Sequence, residues 1–269
     1  MKKKILITLG VLVGLAIVGV GVAFYLYRGP VLTNPRNYAT VGDIPTPRGY
    51  ERVASAKGDF TEYLRSLPLM ERGSQLKLYT GGNARLQSRA YAVVDLPLLS
   101  NAEQCADICM RLRAEFLFGN GQRGAIWFQD VNGVNMRYSG SASRKEFERY
   151  LRNVYANAST FSMKREMPRR KLLDMQPGDV FVYDAGDRTH HKYLKVPSGH
   201  AVMVVDVAVD KNGIKAFLLA EGNTPARDIH VMPNWLNPFA SPWHYVDDDD
   251  ESLFFCGTYY RGDELYGWD

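Results

Sequence analysis

Three side chains that together can cut an amide bond occur in order along this chain: a thiol at Cys105, an imidazole at His200 and a carboxylate at Glu221. A cysteine becomes a nucleophile when a histidine takes its proton, and a third polar group orients that histidine. A helix N-terminus helps, because its dipole favours negative charge on sulfur. Cys105 falls early on a segment of helical periodicity, His200 opens the most apolar strand, and Glu221 ends the strand after it. Asn223 is an alternative orienting or binding group. The inert reading stands beside this one. Cys105 shares a stripe with Cys109, Leu112 and Phe116, where core residues belong. If Ser100 caps the helix and Glu103 completes a capping box, Cys105 sits in the second turn, deep for an activated thiol.

The elements that must position these residues are legible to different degrees. QPGDVFVYD, SGHAVMVVDVAVD and KAFLLAEGNTPARDIHV, from Gln176 to Val231, read as successive strands, the middle one buried on both faces. Gly199 lets the backbone ahead of His200 pass close to a neighbour. Upstream, GDFTEYLRSL reads as a short helix opened by Asp59, followed by strand-like LKLYTG and SRAYAVVDLPLL. A helix over about 101–118 comes next, then a hairpin turning at Asn132-Gly133 and an amphipathic helix over about 143–158. SLFFCGTYY reads as a final strand. Helices and strands interleave without strict alternation, which predicts an α+β fold with one mixed or antiparallel sheet.

Lys2-Lys3-Lys4 precede an uncharged apolar run of 23 residues, ILITLGVLVGLAIVGVGVAFYLY. That length can cross a hydrocarbon core of roughly 30 Å as a helix. The lysines should stay on the cytoplasmic side of an inner or plasma membrane, sending the C-terminal bulk outward. A retained single-pass anchor is expected over residues 1–28, since no small-x-small cleavage site follows Tyr27. Residues 29–50, rich in Pro, Gly, Asn and Thr, read as an extended tether. Residues 51–269 form one extracytoplasmic domain.

The net charge is +4, yet Lys2, Lys3, Lys4, Arg28 and Arg36 outweigh it, so the remainder is close to neutral. No basic groove with interleaved aromatics stands out, which argues against a nucleic-acid partner. Three cysteines give no disulfide framework, and no spacing suits a zinc site, so neither metal nor cofactor is expected. His190-His191 read as a solvated pair, Arg169 to Lys171 as a solvated basic loop, and Asp247 to Glu251 as a solvated turn. Asp107, Arg111 and Glu115 are spaced for ion pairs along one helix face, while Arg113 and Glu115 could instead line a pocket beneath GAIWF. Trp235, Trp243 and Tyr245 could form a platform for a saccharide or peptide, or staple a long loop to the core.

Two resemblances add to these readings. QPGDVFV, GHAVMVV and FLLAEG, about 50 residues in all, resemble the NlpC-type papain-like cell-wall peptidases, in which a Pro-Gly-Asp strand precedes the histidine strand. That resemblance implies Cys105 as nucleophile, His200 as base and Glu221 as orienting group, acting on a cell-wall peptide. A longer series is similar to the bacterial domain of unknown function 4846 and runs in order from Ile44 to Tyr245: IPTPRGYERV, FTEYLRSLPL, LYTG, YAVVDL, QCADICMRLRAEFLF, PGDVFV, GHAVMVVDVAV, FLLAEG and SPWHY. It implies an exported or anchored single domain of no established activity. It also implies a glutamine in place of Glu221 in most members, and an aromatic or apolar residue near Cys256. The alternative to a hydrolase is a non-catalytic envelope binding or scaffold domain.

Overall fold

The computed structural model describes residues 2–28, 32–184, 198–237, 241–246 and 250–268. The elements run α1 (Lys2–Arg28), β1 (Tyr50–Arg52), α2 (Phe60–Arg65), β2 (Ala92–Val93), α3 (Cys105–Gly119), β3 (Trp127–Gln129), β4 (Asn135–Arg137), α4 (Arg144–Asn157) and α5 (Thr160–Glu166). They continue as β5 (Val180–Tyr183), β6 (His200–Asp210), β7 (Lys215–Glu221), β8 (His230–Val231), β9 (His244–Val246), β10 (Ser252–Phe255), β11 (Thr258–Arg261) and β12 (Leu265–Tyr266). The fold is α+β.

Its centre is an eight-stranded sheet of order β12-β5-β6-β7-β8-β2, with β1 added to β6 and β9 added to β7. Every pairing in it is antiparallel. β6 is the longest strand and the most apolar, so it takes the middle, where both faces can be covered. One face carries Ala201, Met203, Val205, Leu218 and Ala220 and packs against α3 and α4. The other carries Phe181, Val202, Val204 and Leu219 and packs against the C-terminal hairpin β10–β11. A register shift between Val204 and Asp206 turns the Asp206 carboxylate onto two cations, Arg52 at 2.6 Å and Arg65 at 2.7 Å. The charge is buried, and two guanidiniums make its burial tolerable.

Several expectations are met in detail. Asp59 caps α2 by accepting the Glu62 amide at 2.7 Å. α4 buries Phe147, Leu151 and Val154 and leaves its polar face outward. β3 and β4 form the expected hairpin, and Gly133 turns it with φ of +89°. Other expectations need correcting. LKLYTG makes only isolated bridges, at Lys77 and Leu78. α5 was not foreseen. SLFFCGTYY is a hairpin and not one strand, because Cys256-Gly257 turn the chain with positive φ at both residues. The stretch expected as an extended tether packs into the domain in its described part: Thr33, Asn34, Val41 and Ile44 are all buried. Proline and glycine there mark turns inside a folded segment.

α1 is a continuous helix of 27 residues. Its described side chains run from Thr8 to Ala23, Leu9 excepted, and the large apolar ones among them, such as Val11, Leu15 and Val20, are more than half exposed. Among the described residues, no helix is long and apolar enough to cross a membrane. His190-His191 and Asp247 to Asp249 lie outside the described residues.

Candidate functional site

The helix that carries Cys105 starts later than the capping pattern suggests. Ser100 and Glu103 do not form the cap; Glu103 is occupied elsewhere, accepting the Leu99 amide at 2.6 Å and pairing with buried Arg111 at 2.6 Å. The cap is Gln104, in extended conformation, whose amide donates to the Asp107 carboxylate at 2.9 Å. The first helical hydrogen bond runs from the Ile108 amide to the Gln104 carbonyl. Cys105 is therefore the first residue of α3, where the amides have no helical acceptor and the dipole favours negative charge. Both cysteines are buried, but to different degrees: Cys109 is fully enclosed in the core with its thiol pKa pushed well up by burial, whereas Cys105 is 7% exposed and lies on the wall of a cleft.

His200 and Glu221 reach the same place from the sheet. Met203 pairs with Ala220, so His200, three residues earlier, and Glu221, one residue later, project from the same face of neighbouring strands. Two glycines let the three elements close up. A Cβ on Gly199 would collide with the Tyr183 carbonyl at 2.6 Å, and one on Gly222 would meet Ile108 Cγ1 at 2.5 Å. The first turns of α3 thus lie directly over the end of β7.

The result is a connected chain of groups. His200 donates from Nε2 to Glu221 Oε2 at 2.7 Å. Its other nitrogen, Nδ1, does not face Glu221, and the Cys105 sulfur is near enough to act on the imidazole electrostatically. Burial pushes the His200 pKa down, but Cys105 and Glu221 outweigh it, and the value is pushed up to about 9.

Glu221 is fully buried and accepts from three side chains. Arg89 reaches both oxygens, at 2.8 and 3.1 Å, and His230 Nε2 donates at 3.2 Å. Burial works to raise the Glu221 pKa, yet Arg89 and the two histidines hold it well below the usual carboxylate range. His230 Nδ1 faces the Asp228 carbonyl at 2.9 Å, so each of its nitrogens faces an acceptor. Arg89 also donates to the Cys256 carbonyl at 2.6 Å, which ties the site to the C-terminal hairpin. Gln104 completes the picture. Its side-chain oxygen accepts from the Thr224 hydroxyl at 2.6 Å, which turns its NH2 group away from that bond.

The cleft beside Cys105 has a volume of about 610 Å³. Small residues make up much of its wall, among them Ala106, Ala158, Ser159 and Gly199. The other expected binding residues lie elsewhere. Asn223 is half-buried and caps its own turn by accepting the Thr224 amide at 2.8 Å. Trp243 and Tyr245 line a separate groove with Tyr38 and Tyr91, at the far end of β7 from Glu221. Trp243 is buried and donates to the Pro45 carbonyl at 2.8 Å, and Trp235 donates to the Ser88 carbonyl at 3.0 Å, so both indoles staple loops.

The even spacing along α3 is used in part: Arg111 and Glu115 pair at 3.4 Å, and Glu115 also pairs with Arg144 at 2.6 Å, while Asp107 caps the helix. Arg113 covers Phe60 and lines a small pocket with Trp127 and Trp268. Arg170, expected in a solvated loop, pairs with buried Asp179 at 2.7 Å. The three cysteines are free. Among the described residues, no cluster of histidine, cysteine and carboxylate is arranged to hold a metal ion.

Arg89, His230, Gln104 and Thr224 were not singled out by their sequence. His230 had a weak signal in the alternation of RDIHV; Arg89 had none. No curated protein and no solved structure matches the chain. The family model for Domain of unknown function (4846) matches it twice, over residues 41–142 and 139–260. With most of its length covered in this way, the chain belongs to the family of domain of unknown function 4846.

Proposed function

We propose that this chain is a cysteine amide hydrolase of papain-like logic, anchored in a bacterial inner or plasma membrane by α1 and acting outside it on cell-wall peptides. The observation that carries the reading is the gathering of Cys105, His200 and Glu221 in one place, with His200 bonded to Glu221 and Cys105 on the first turn of a helix in the wall of a cleft. The local wording QPGDVFV and GHAVMVV, similar to NlpC-type peptidases, supports the substrate class. The Lys2-Lys3-Lys4 flank and the uncovered apolar side chains of α1 support the anchor.

In the reaction, His200 Nδ1 takes the Cys105 proton and the sulfur attacks the substrate carbonyl carbon. The carbonyl oxygen becomes an oxyanion, for which the Cys105 amide and the Gln104 side-chain NH2 are the proposed donors. The tetrahedral intermediate collapses as the C–N bond breaks, and His200 gives its proton to the leaving amine. A thioester on Cys105 remains. Water, deprotonated by His200, attacks it, the C–S bond breaks, and the thiol is restored. Glu221 does not change charge; it holds the imidazole in place and stabilises its cation.

Alkylation by iodoacetamide, read by intact mass and peptide mapping, tests the reading. Cys105 should be modified first in the native protein, and His200→Ala should slow that modification by roughly 10–100-fold, the scale of losing a general base. Equal rates in the two proteins would leave only a binding cleft in an envelope domain.

A further inference from the structure

The groove away from Cys105 is lined by the chain around Tyr38 and Arg48, by Tyr91 and by the approach to β9. Its volume is about 480 Å³. Two of its lining residues are cations, Arg36 and Arg48, and none is an acid. Arg52, Arg65, Arg89 and Arg111 all face carboxylates elsewhere in the domain. Arg36 and Arg48 are exposed, and among the described residues neither has a carboxylate partner.

The walls of the groove are held from behind by buried polar groups. Asn34 is buried and sits in left-handed backbone with φ of +48°. Its Nδ2 donates to the Tyr38 carbonyl at 2.8 Å, and its Oδ1 accepts the Tyr38 amide at 2.7 Å. Its own amide donates to the Tyr91 carbonyl at 2.6 Å, so one asparagine fixes the backbone of both tyrosines. Trp243 Nε1 donates to the Pro45 carbonyl at 2.8 Å, and Asn234 donates to the Trp243 carbonyl at 2.8 Å. Tyr245 stands edge-on to Tyr50, with 5.6 Å between ring centres. Walls fixed in this way lose little freedom when a ligand enters.

The chemistry of the lining selects among ligands. Tyr38, Tyr91 and Tyr245 are half-buried, and among the described residues their hydroxyls have no hydrogen-bond partner. Burial and the nearby Tyr38 push the Tyr91 pKa up to about 12 against the pull of Arg36, so its hydroxyl stays a donor at neutral pH. Aromatic faces with hydroxyl tips suit sugar rings, which have apolar faces and a hydroxylated rim. Two unpaired guanidiniums suit an anionic substituent on that sugar. A peptide fits less well, because four lining residues, Pro45 and Pro47 among them, are prolines with no N–H to offer its backbone. A lipid surface also fits less well: Ile44, Trp243 and the three tyrosines are buried or half-buried and cannot insert.

We infer that this groove binds an anionic saccharide, with the carboxylate or phosphate held by Arg36 and Arg48 and the sugar rings laid against Tyr38, Tyr91 and Tyr245. The site is separate from Cys105 and does not depend on the hydrolase reading. It gives the domain a hold on a charged glycan whether or not Cys105 is a nucleophile.

Calorimetry on the full chain in mild detergent at low salt and neutral pH tests the assignment. Digalacturonate and trehalose 6-phosphate are the anionic probes, and lactose and trehalose are their neutral counterparts. At least one anionic probe should bind about tenfold or more tightly than its counterpart, and the two anions separate a carboxylate from a phosphate preference. Replacing both arginines, Arg36→Ala with Arg48→Ala, should erase the preference; both are exposed and unpaired, so the fold is kept. Tyr91→Phe removes only a hydroxyl and should weaken the anionic probe about threefold.

Anionic probes that bind no more tightly than neutral ones, no binding at about 10 mM, or a preference that survives loss of both arginines would overturn the inference. Citrate binding as tightly as the sugars would make the groove a general anion site, and tighter binding of triglutamate would make it a peptide site. Displacement of the sugar by phosphatidylglycerol added to the micelles would make it a lipid headgroup site. Each of these three results ends the saccharide assignment.

Discussion

Replacing Arg89 with methionine probes the site at its least visible point. Glu221 is fully buried, and among the described residues Arg89 is the one permanently charged group that reaches both of its oxygens, at 2.8 and 3.1 Å. Methionine fills a similar volume but leaves the carboxylate to two histidines and leaves the Cys256 carbonyl without its 2.6 Å donor. Breaking a buried pair by removing one partner costs about 3–5 kcal/mol, since the remaining charge stays buried. For a domain of this size that is a fall in Tm on the order of 10 °C. The double variant Arg89→Met with Glu221→Leu removes both charges, so it should recover at least about 2 kcal/mol relative to the sum of the single losses. Thermal or urea unfolding of the four proteins gives the cycle. A loss under about 1 kcal/mol for Arg89→Met, or strict additivity in the double variant, would refute the buried-clamp account.

Two further outcomes follow from separate parts of the molecule. His244 is buried against Phe217 and Phe255 with its Nε2 unpartnered, and burial alone pushes its pKa from 6.5 down to about 3. Its depressed value means that stability is complete above pH 6.5 and falls below it, by up to about 1.4 kcal/mol per pH step until about pH 3. His244→Phe should flatten that acid limb in urea titrations at pH 4 to 7, and an unchanged limb would acquit His244. An alkaline phosphatase fusion placed after Asp269 should be active in cells if the C-terminus is outside, and a silent fusion at normal expression would count against the proposed orientation.

How far the site could be read from the chain depended on whether each partner was announced by local pattern. β5, β6 and β7 were legible because a run such as Ala-Val-Met-Val-Val has few other uses, and a histidine at its mouth is conspicuous. The start of α3 was misplaced because Ser100 and Glu103 satisfy the spacing of a capping box, while the burial of Arg111 claims Glu103 for another purpose. That four-residue shift matters: it moves Cys105 from the second turn, where the dipole argues against it, to the first. Arg89 and His230 could not be inferred, since each joins the site through Glu221, at sequence separations of 132 and 9 respectively. Residues 32–50 were misread because proline and glycine mark turns whether or not the turn is packed.

The bond from Arg89 to the Cys256 carbonyl bears on how the protein is made. Synthesis delivers Cys105 early, then His200 and Glu221, and the hairpin around Cys256 last. Until that hairpin emerges, Arg89 lacks one of its two anchors, so the carboxylate that steadies His200 is not yet firmly held. Contacts of such long range form late in folding, after the local helices and hairpins. A nascent or truncated chain therefore carries its thiol without the assembly proposed to arm it. Reactivity at Cys105 becomes a sign that the hairpin around Cys256 is in place, which would keep a proposed hydrolase quiet until it has folded.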